Sequence, residues 1–242
     1  MGIVDVHQHN GPWPYPGRWG GVEENLRLMA ARGIGAAILS SSKAIVSDMV
    51  EGNAELAEAI APRPQLYAYV VVNPTTLAAS ERELARYEGV PRFVGAKIHT
   101  HYSGCAMTDP RLAPMFGVLQ EWGRPLLIHT WGAAAIAALS GLAERFPALR
   151  IIVAHAGGDA WREAIAAAQR RPNLWLDFAG STPYAGAIAR AVATLGASRL
   201  VFGSDATLFD PLYMLAHWES IPMSAADRAL AMGGVATRLF AL

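Results

Sequence analysis

The chain has 242 residues, 52% of them hydrophobic and 17% charged, with twenty basic residues balanced by twenty acidic ones. This composition argues against disorder and leaves no electrostatic footprint for nucleic acid or an anionic membrane surface, so the implied partner is a small molecule. The single cysteine, Cys105, excludes an intramolecular disulfide and a multi-cysteine metal site and suits a reducing, cytoplasmic setting; no signal segment and no apolar run near the ~18 residues of a membrane helix is read.

Short β-branched or apolar runs alternate with longer helical patterns along the whole chain. The predicted strands cover 3–9, 36–40, 66–72, 93–99, 126–129, 151–155, 174–177 and 200–205. Between and after them, helical periodicity covers 23–32, 52–61, 77–87, 111–122, 134–146, 160–171, 184–195 and 225–232. Glycine and proline stops punctuate the joins, as in Trp122-Gly123-Arg124-Pro125, where glycine suits a helix C-cap and proline follows it. No linker or compositional shift divides the sequence, so one domain spanning 1–242 is expected. Its length is close to the roughly 250 residues of a (β/α)₈ barrel, and the expected fold is α/β: a single TIM barrel with its site at the C-terminal ends of the strands. An open doubly wound sheet is the architectural rival. It would want a glycine-rich turn after the first strand, whereas that strand runs into Gly11-Pro12-Trp13-Pro14-Tyr15-Pro16-Gly17, too proline-rich to cradle phosphate.

Five predicted strands end in a histidine or an acid: His9, His99, His129, His155 and Asp205. A barrel brings those ends to one face, so residues distant in sequence meet there. His7 and His9 are two apart on a strand and share a side of it. With His129 and Asp205 they make a mixed nitrogen and oxygen donor set that suits Zn²⁺ and also admits Mn²⁺, Fe²⁺ or Co²⁺. His155 is then left for acid/base or electrophilic work on the substrate, beside Asp205. Lys97, one of only two lysines, shares its strand face with His99. It pairs with a substrate carboxylate or with Asp205, forms a structural ion pair, or bridges a second metal as a carboxylated side chain. Trp13, Arg18, Tyr102 and Trp131, with Tyr184, are candidate walls of a pocket for a ring-bearing or carboxylated molecule.

Asp5-Val6-His7-Gln8-His9, Val94-Gly95-Ala96-Lys97-Ile98-His99, Leu127-Ile128-His129-Thr130, His155-Ala156-Gly157-Gly158 and Phe202-Gly203-Ser204-Asp205 together resemble the amidohydrolase superfamily. Within it they are similar to the branch that includes aminocarboxymuconate semialdehyde decarboxylase and resorcylate-type decarboxylases. The resemblance implies a mononuclear metal held by His7, His9, His129 and Asp205, with His155 catalytic. Three departures fall in loops that line the substrate pocket or near the last helix: Ala206-Thr207 where an aromatic and proline are usual, Thr100 in place of a proline, and Val235 in place of an asparagine.

The first expectation for activity is hydrolysis, with an activated water attacking an amide, lactone or ester carbonyl and Asp205 taking its proton. The alternative is non-oxidative decarboxylation of an aromatic or muconate-like acid, which needs the same ligands. A non-catalytic metal-binding scaffold and a phosphate-binding barrel enzyme are weaker rivals; Ala179-Gly180-Ser181-Thr182 and Ala206-Thr207-Leu208 are poor phosphate loops. So apolar a chain also admits a homo-oligomer.

Overall fold

The computed structural model describes residues 2–17, 20–180 and 184–242. Eight parallel strands lie side by side in sequence order: β1 (Ile3–Asn10), β2 (Ile34–Ser41), β3 (Leu66–Val71), β4 (Phe93–His99), β5 (Leu126–His129), β6 (Ile151–Ala154), β7 (Leu174–Asp177) and β8 (Leu200–Val201). The barrel closes where the chain beyond β8 returns to β1. Val6 donates to the Phe202 carbonyl at 2.9 Å, Asp205 donates to the His7 carbonyl at 2.8 Å, and Gln8 bridges Ala206. The helices α1 (Val22–Arg32), α2 (Ser42–Val46), α3 (Met49–Ile60), α4 (Leu77–Tyr87), α5 (Leu112–Trp122), α6 (Ala133–Arg145), α7 (Trp161–Arg170), α8 (Ala187–Leu195), α9 (Leu212–Glu219), α10 (Ala225–Ala229) and α11 (Val235–Phe240) complete the (β/α)₈ barrel.

The alternation read from the sequence is the one observed, and the differences have local causes. The regular ladder of β8 stops at Val201, and the run to Ala206 is held to β1 by single hydrogen bonds. β6 ends at Ala154 because His155 and Ala156 turn into left-handed backbone, φ 59° and 47°. Three helices were not expected: α2, whose first turn is capped by the Ser41 hydroxyl accepting from the Ala44 amide, and α9 and α11 beyond β8. The pattern over 225–232 is regular α-helix only through α10, because at Leu230 it passes into a wide π turn, Leu230–Gly234, that leads on to α11. There the bare Gly233 lies directly against the Gly2 carbonyl, leaving no room for a side chain.

Two apolar shells hold the barrel. The larger packs outward-facing strand residues such as Leu39, Val70, Ile98, Ile128 and Leu176 against the helices. The smaller fills the barrel, with Val6, Ile38, Tyr69, Leu127, Ile152 and Val201 stacked above Leu239 and Phe240 of α11, which plug the N-terminal end. Alternation along β5 shows the division, since Leu126 and Ile128 join the outer shell while Leu127 joins the inner one and His129 emerges above it. Tyr69 reaches across this interior to donate its hydroxyl proton to the Val6 carbonyl at 2.7 Å. The ring fits only because β4 carries glycine at position 95. A Cβ there would stand 2.7 Å from the Pro125 carbonyl and 2.9 Å from the Tyr69 ring. Gly95→Ala should therefore destabilise the fold by about 1–3 kcal/mol through overpacking, read as a lower urea midpoint at unchanged slope.

Candidate functional site

Every group the sequence placed at a strand end, apart from those in loops, lies at the C-terminal mouth of the barrel. His7 and His9 rise from β1, and Asp205 comes from the segment after β8, so the donor atoms of all three lie within 4.8 Å of one another. The His9 Nε2 is 3.0 Å and the His7 Nε2 3.6 Å from the same Asp205 oxygen. All three residues are buried. Lys97, from β4, is fully buried beneath them and places its Nζ 3.2 Å from the His7 Nε2. His129 stands outside the three-residue cluster, stacked on His99 with ring centroids 4.0 Å apart and with its Nδ1 3.1 Å from the His155 Nε2.

The hydrogen bonds determine which nitrogens carry protons. The Asp177 carboxylate lies 3.0 Å from the His7 Nδ1, so His7 donates there and keeps a lone pair on Nε2, where the Lys97 ammonium donates. At β6, the Ala179 carbonyl can only accept, so His155 donates from Nδ1 at 2.7 Å. The His155 Nε2 and the His129 Nδ1 share one hydrogen bond at 3.1 Å; a donating His129 Nδ1 leaves the lone pair on its Nε2, the arrangement that a metal at that nitrogen requires. The His9 Nδ1 is paired with the Ser40 hydroxyl at 2.9 Å. Orientation of a ligating imidazole through its second nitrogen is what metal sites require.

Burial decides the charges. It is the largest cause lowering His7, His9, His99 and His129, the last to about 2, and the Lys97 cation adds to it. These imidazoles are neutral; in the metal-free protein the His9 Nε2 donates to the Asp205 carboxylate, and a bound ion would displace that proton. Burial also pulls Lys97 down to about 8, opposed by Asp177 and Asp205. For Asp205 burial pushes upward but is outweighed by the His9 hydrogen bond and by His7, so its carboxyl stays well below the ordinary range. Backbone strain accompanies this placement. Asp205 and His155 both adopt left-handed φ, 67° and 59°, which non-glycine residues accept only where surrounding contacts enforce it.

Over the donors lies a cavity of about 330 Å³, walled by Trp13, Tyr15, Trp131, Leu208 and Phe209, with His155 and Gly180 on its flank. Trp13 packs edge-on against His9 at 4.8 Å and stacks on Tyr15 at 5.9 Å. Tyr102 does not face the cavity; it braces Trp13 from behind, 5.7 Å between rings, and donates to the Tyr15 hydroxyl. Tyr184 packs on the outer core. Arg18 lies outside the described residues. Asp177, the partner of His7, was not anticipated, although Leu174-Trp175-Leu176-Asp177 has the same form as the other strand ends: an apolar run delivering one polar tip. Asp5 and Ser40, which orient β1 and His9, were also missed. Long-range ¹H–¹⁵N spectra of the metal-free protein should show Nδ1 protonated in His7, His129 and His155; an Nε2 proton on His129 would refute the tautomer assignment.

Comparison with known proteins gives a consistent relationship. The amidohydrolase family model matches residues 4–242. No curated protein matches. Among solved structures, a 2,6-dihydroxybenzoate decarboxylase in complex with 2,6-dihydroxybenzoate superposes with TM-score 0.82 at 21% identity, covering 100% of both chains. A dihydroxybenzoic acid decarboxylase from Polaromonas sp. JS666 with bound manganese and the inhibitor 2-nitroresorcinol gives 0.81 at 20% identity, covering 100% of this chain and 97% of that one. A Pseudomonas putida protein named as a candidate 2-pyrone-4,6-dicarboxylic acid hydrolase gives 0.74 at 20% identity, covering 99% and 97%. Because the family model runs from the fourth residue to the last, the chain belongs to the amidohydrolase family.

Proposed function

We propose that the protein is a metal-dependent, non-oxidative decarboxylase acting on a single-ring aromatic acid with a hydroxyl beside the carboxylate. One observation carries this reading: the converging donors His7, His9 and Asp205, with the buried ammonium of Lys97 against them, floor an aromatic-walled cavity of about 330 Å³. A divalent ion on these donors, with the Lys97 ammonium beside it, would suit an anionic head, and ring-bearing walls suit a planar body. The fold shared with dihydroxybenzoate decarboxylases supports it.

The donor chemistry fits a divalent ion. His7 presents a lone pair because Asp177 holds its other nitrogen, Ser40 orients His9, and Asp205 adds a buried carboxylate. His129 would add a fourth donor through its free Nε2. Such a set suits Zn²⁺ or Mn²⁺. A bound ion would supply a Lewis-acid anchor for the oxygens of the substrate. In the reaction the bond from the ring to the carboxylate breaks and leaves its electron pair on the ring carbon, which takes a proton. Asp205 faces the cavity as a carboxylate; it takes the proton of the substrate's hydroxyl and passes it to that carbon, and solvent restores the hydroxyl proton after carbon dioxide leaves. Lys97 offsets the substrate's negative charge. His155 holds the His129 ring in its donating orientation through Nε2. The aromatic walls limit water at the reacting carbon.

Hydrolysis, the first expectation from the sequence, is the second reading. It is favoured by the structural likeness to the protein named as a candidate 2-pyrone dicarboxylic acid hydrolase. Protein loaded with Mn²⁺ or Zn²⁺ and given hydroxybenzoates, lactones and amides separates the two. The expected result is carbon dioxide release from ortho-hydroxybenzoates, reduced about 10²- to 10⁴-fold in Asp205→Asn; ring opening without carbon dioxide would establish hydrolysis instead. Independently of turnover, Asp177→Asn should lower metal affinity about 10- to 100-fold by equilibrium dialysis.

A further inference from the structure

A second and larger space adjoins the donor cavity on the far side of Trp131. It measures about 670 Å³, and His129 and Trp131 line both. Its floor is the chain after β4 and its far wall is the first turn of α6. We infer that this outer cleft is a second substrate subsite, taking an uncharged, planar, hydrogen-bonding arm of the acid whose carboxylate end sits at His7, His9 and Asp205. The inference rests on the acid-binding reading of the inner cavity and extends it to a substrate longer than one ring.

Four observations lead to that occupant. First, the cleft is built rather than incidental. In the chain after β4, Cys105 and Met107 are anchored in the core, which turns Gly104, Ala106 and Thr108 outward, and backbone bonds from Ser103 to His99 and from Cys105 to Thr100 fix the segment. Second, the space is cleared by small residues, Gly104, Ala106, Ala134 and Ala135, where any larger side chain would fill it. Third, among the described residues the lining holds no lysine, arginine, aspartate or glutamate, and its polar side chains include His101, Thr108 and the indole N–H of Trp131. Thr100 can only accept, since its hydroxyl proton is given to the His129 carbonyl at 3.0 Å. A lining of this kind rejects a charged group, whose desolvation nothing would repay, and accepts an amide, ether or aryl group.

Fourth, Trp131 is a platform at the junction. It is 49% exposed, an uncommon state for so large a ring. Its position is nonetheless fixed, because the ring lies flat on Gly158, at φ 62°, where a Cβ would collide with it. A ring held this way offers a rigid stacking face to a planar arm.

Calorimetric titration of the metal-loaded protein with salicylate and with salicylates bearing a neutral phenyl or acetamido group at each ring position tests this. At least one extended acid should bind about five- to tenfold more tightly than salicylate. Ala134→Trp, an exposed helical position on the cleft wall, should abolish that gain. A gain that survives Ala134→Trp, or its absence at every ring position, would overturn the inference. Acetanilide alone, followed by saturation-transfer NMR, separates the inference from the reading beneath it. Binding of acetanilide that Ala134→Trp removes, with no salicylate binding, would leave the outer subsite standing and refute the acid site; equal binding by both proteins would refute the subsite.

Discussion

The buried carboxylate of Asp5 ties the two ends of the chain together, and the geometry of the mouth follows from it. One oxygen accepts from the His7 and Ser204 amides, both at 3.1 Å; the other accepts from the Gln8 side chain at 2.8 Å and the Ser204 hydroxyl at 2.5 Å. These bonds lie where β1 breaks register between Asp5 and Gln8, so the amides freed by the irregularity have an acceptor. The break allows Val6 to point into the barrel core while His7 and His9 face the mouth. Burial raises Asp5 to about 7 despite these donors, which shows how unfavourable a charge would be at this depth without them.

The same economy of charge governs the mouth. Asp177 and Asp205 are buried carboxylates, and Lys97 is a fully buried cation that reaches from β4 to His7 on β1. An isolated ion at such depth costs several kcal/mol, so each charge is set against an opposite charge or a hydrogen-bond donor. Histidines mediate between them: His7 passes a proton-donating contact to Asp177 on one side and receives one from Lys97 on the other. His7 is therefore a link between a buried anion and a buried cation as well as a donor.

The barrel was legible in the sequence because strand and helix periods differ and alternate eight times, and because residues two apart on a strand share a face. That rule suffices for His7 with His9 and for Lys97 with His99. It says nothing about partners across strands. Whether Lys97 would meet Asp205, a substrate or His7 depends on barrel closure, which places β4 opposite β1. His155 was legible as a strand end, yet its left-handed φ turns the ring toward His129, and backbone torsion at one residue leaves no mark in composition. Asp177 is a different case. Its signal was present in plain form and was outweighed by the more familiar ligand types. The Trp131 and Gly158 contact joins positions with no periodic relation, and only the assembled fold reveals why glycine stands there.

The donors stand on strand ends anchored by the sheet, while the walls around them, Trp13 and Tyr15 on one side and Leu208 and Phe209 on the other, come from loops. The second of these loops is fastened at its far end by a two-pronged bond from Arg32 to Asp210, at 2.8 and 2.6 Å. Bond breaking and molecule choosing are thus assigned to separate stretches of chain. A lineage built on this plan can exchange one loop for another and explore new substrates while the inherited chemistry beneath stays unaltered.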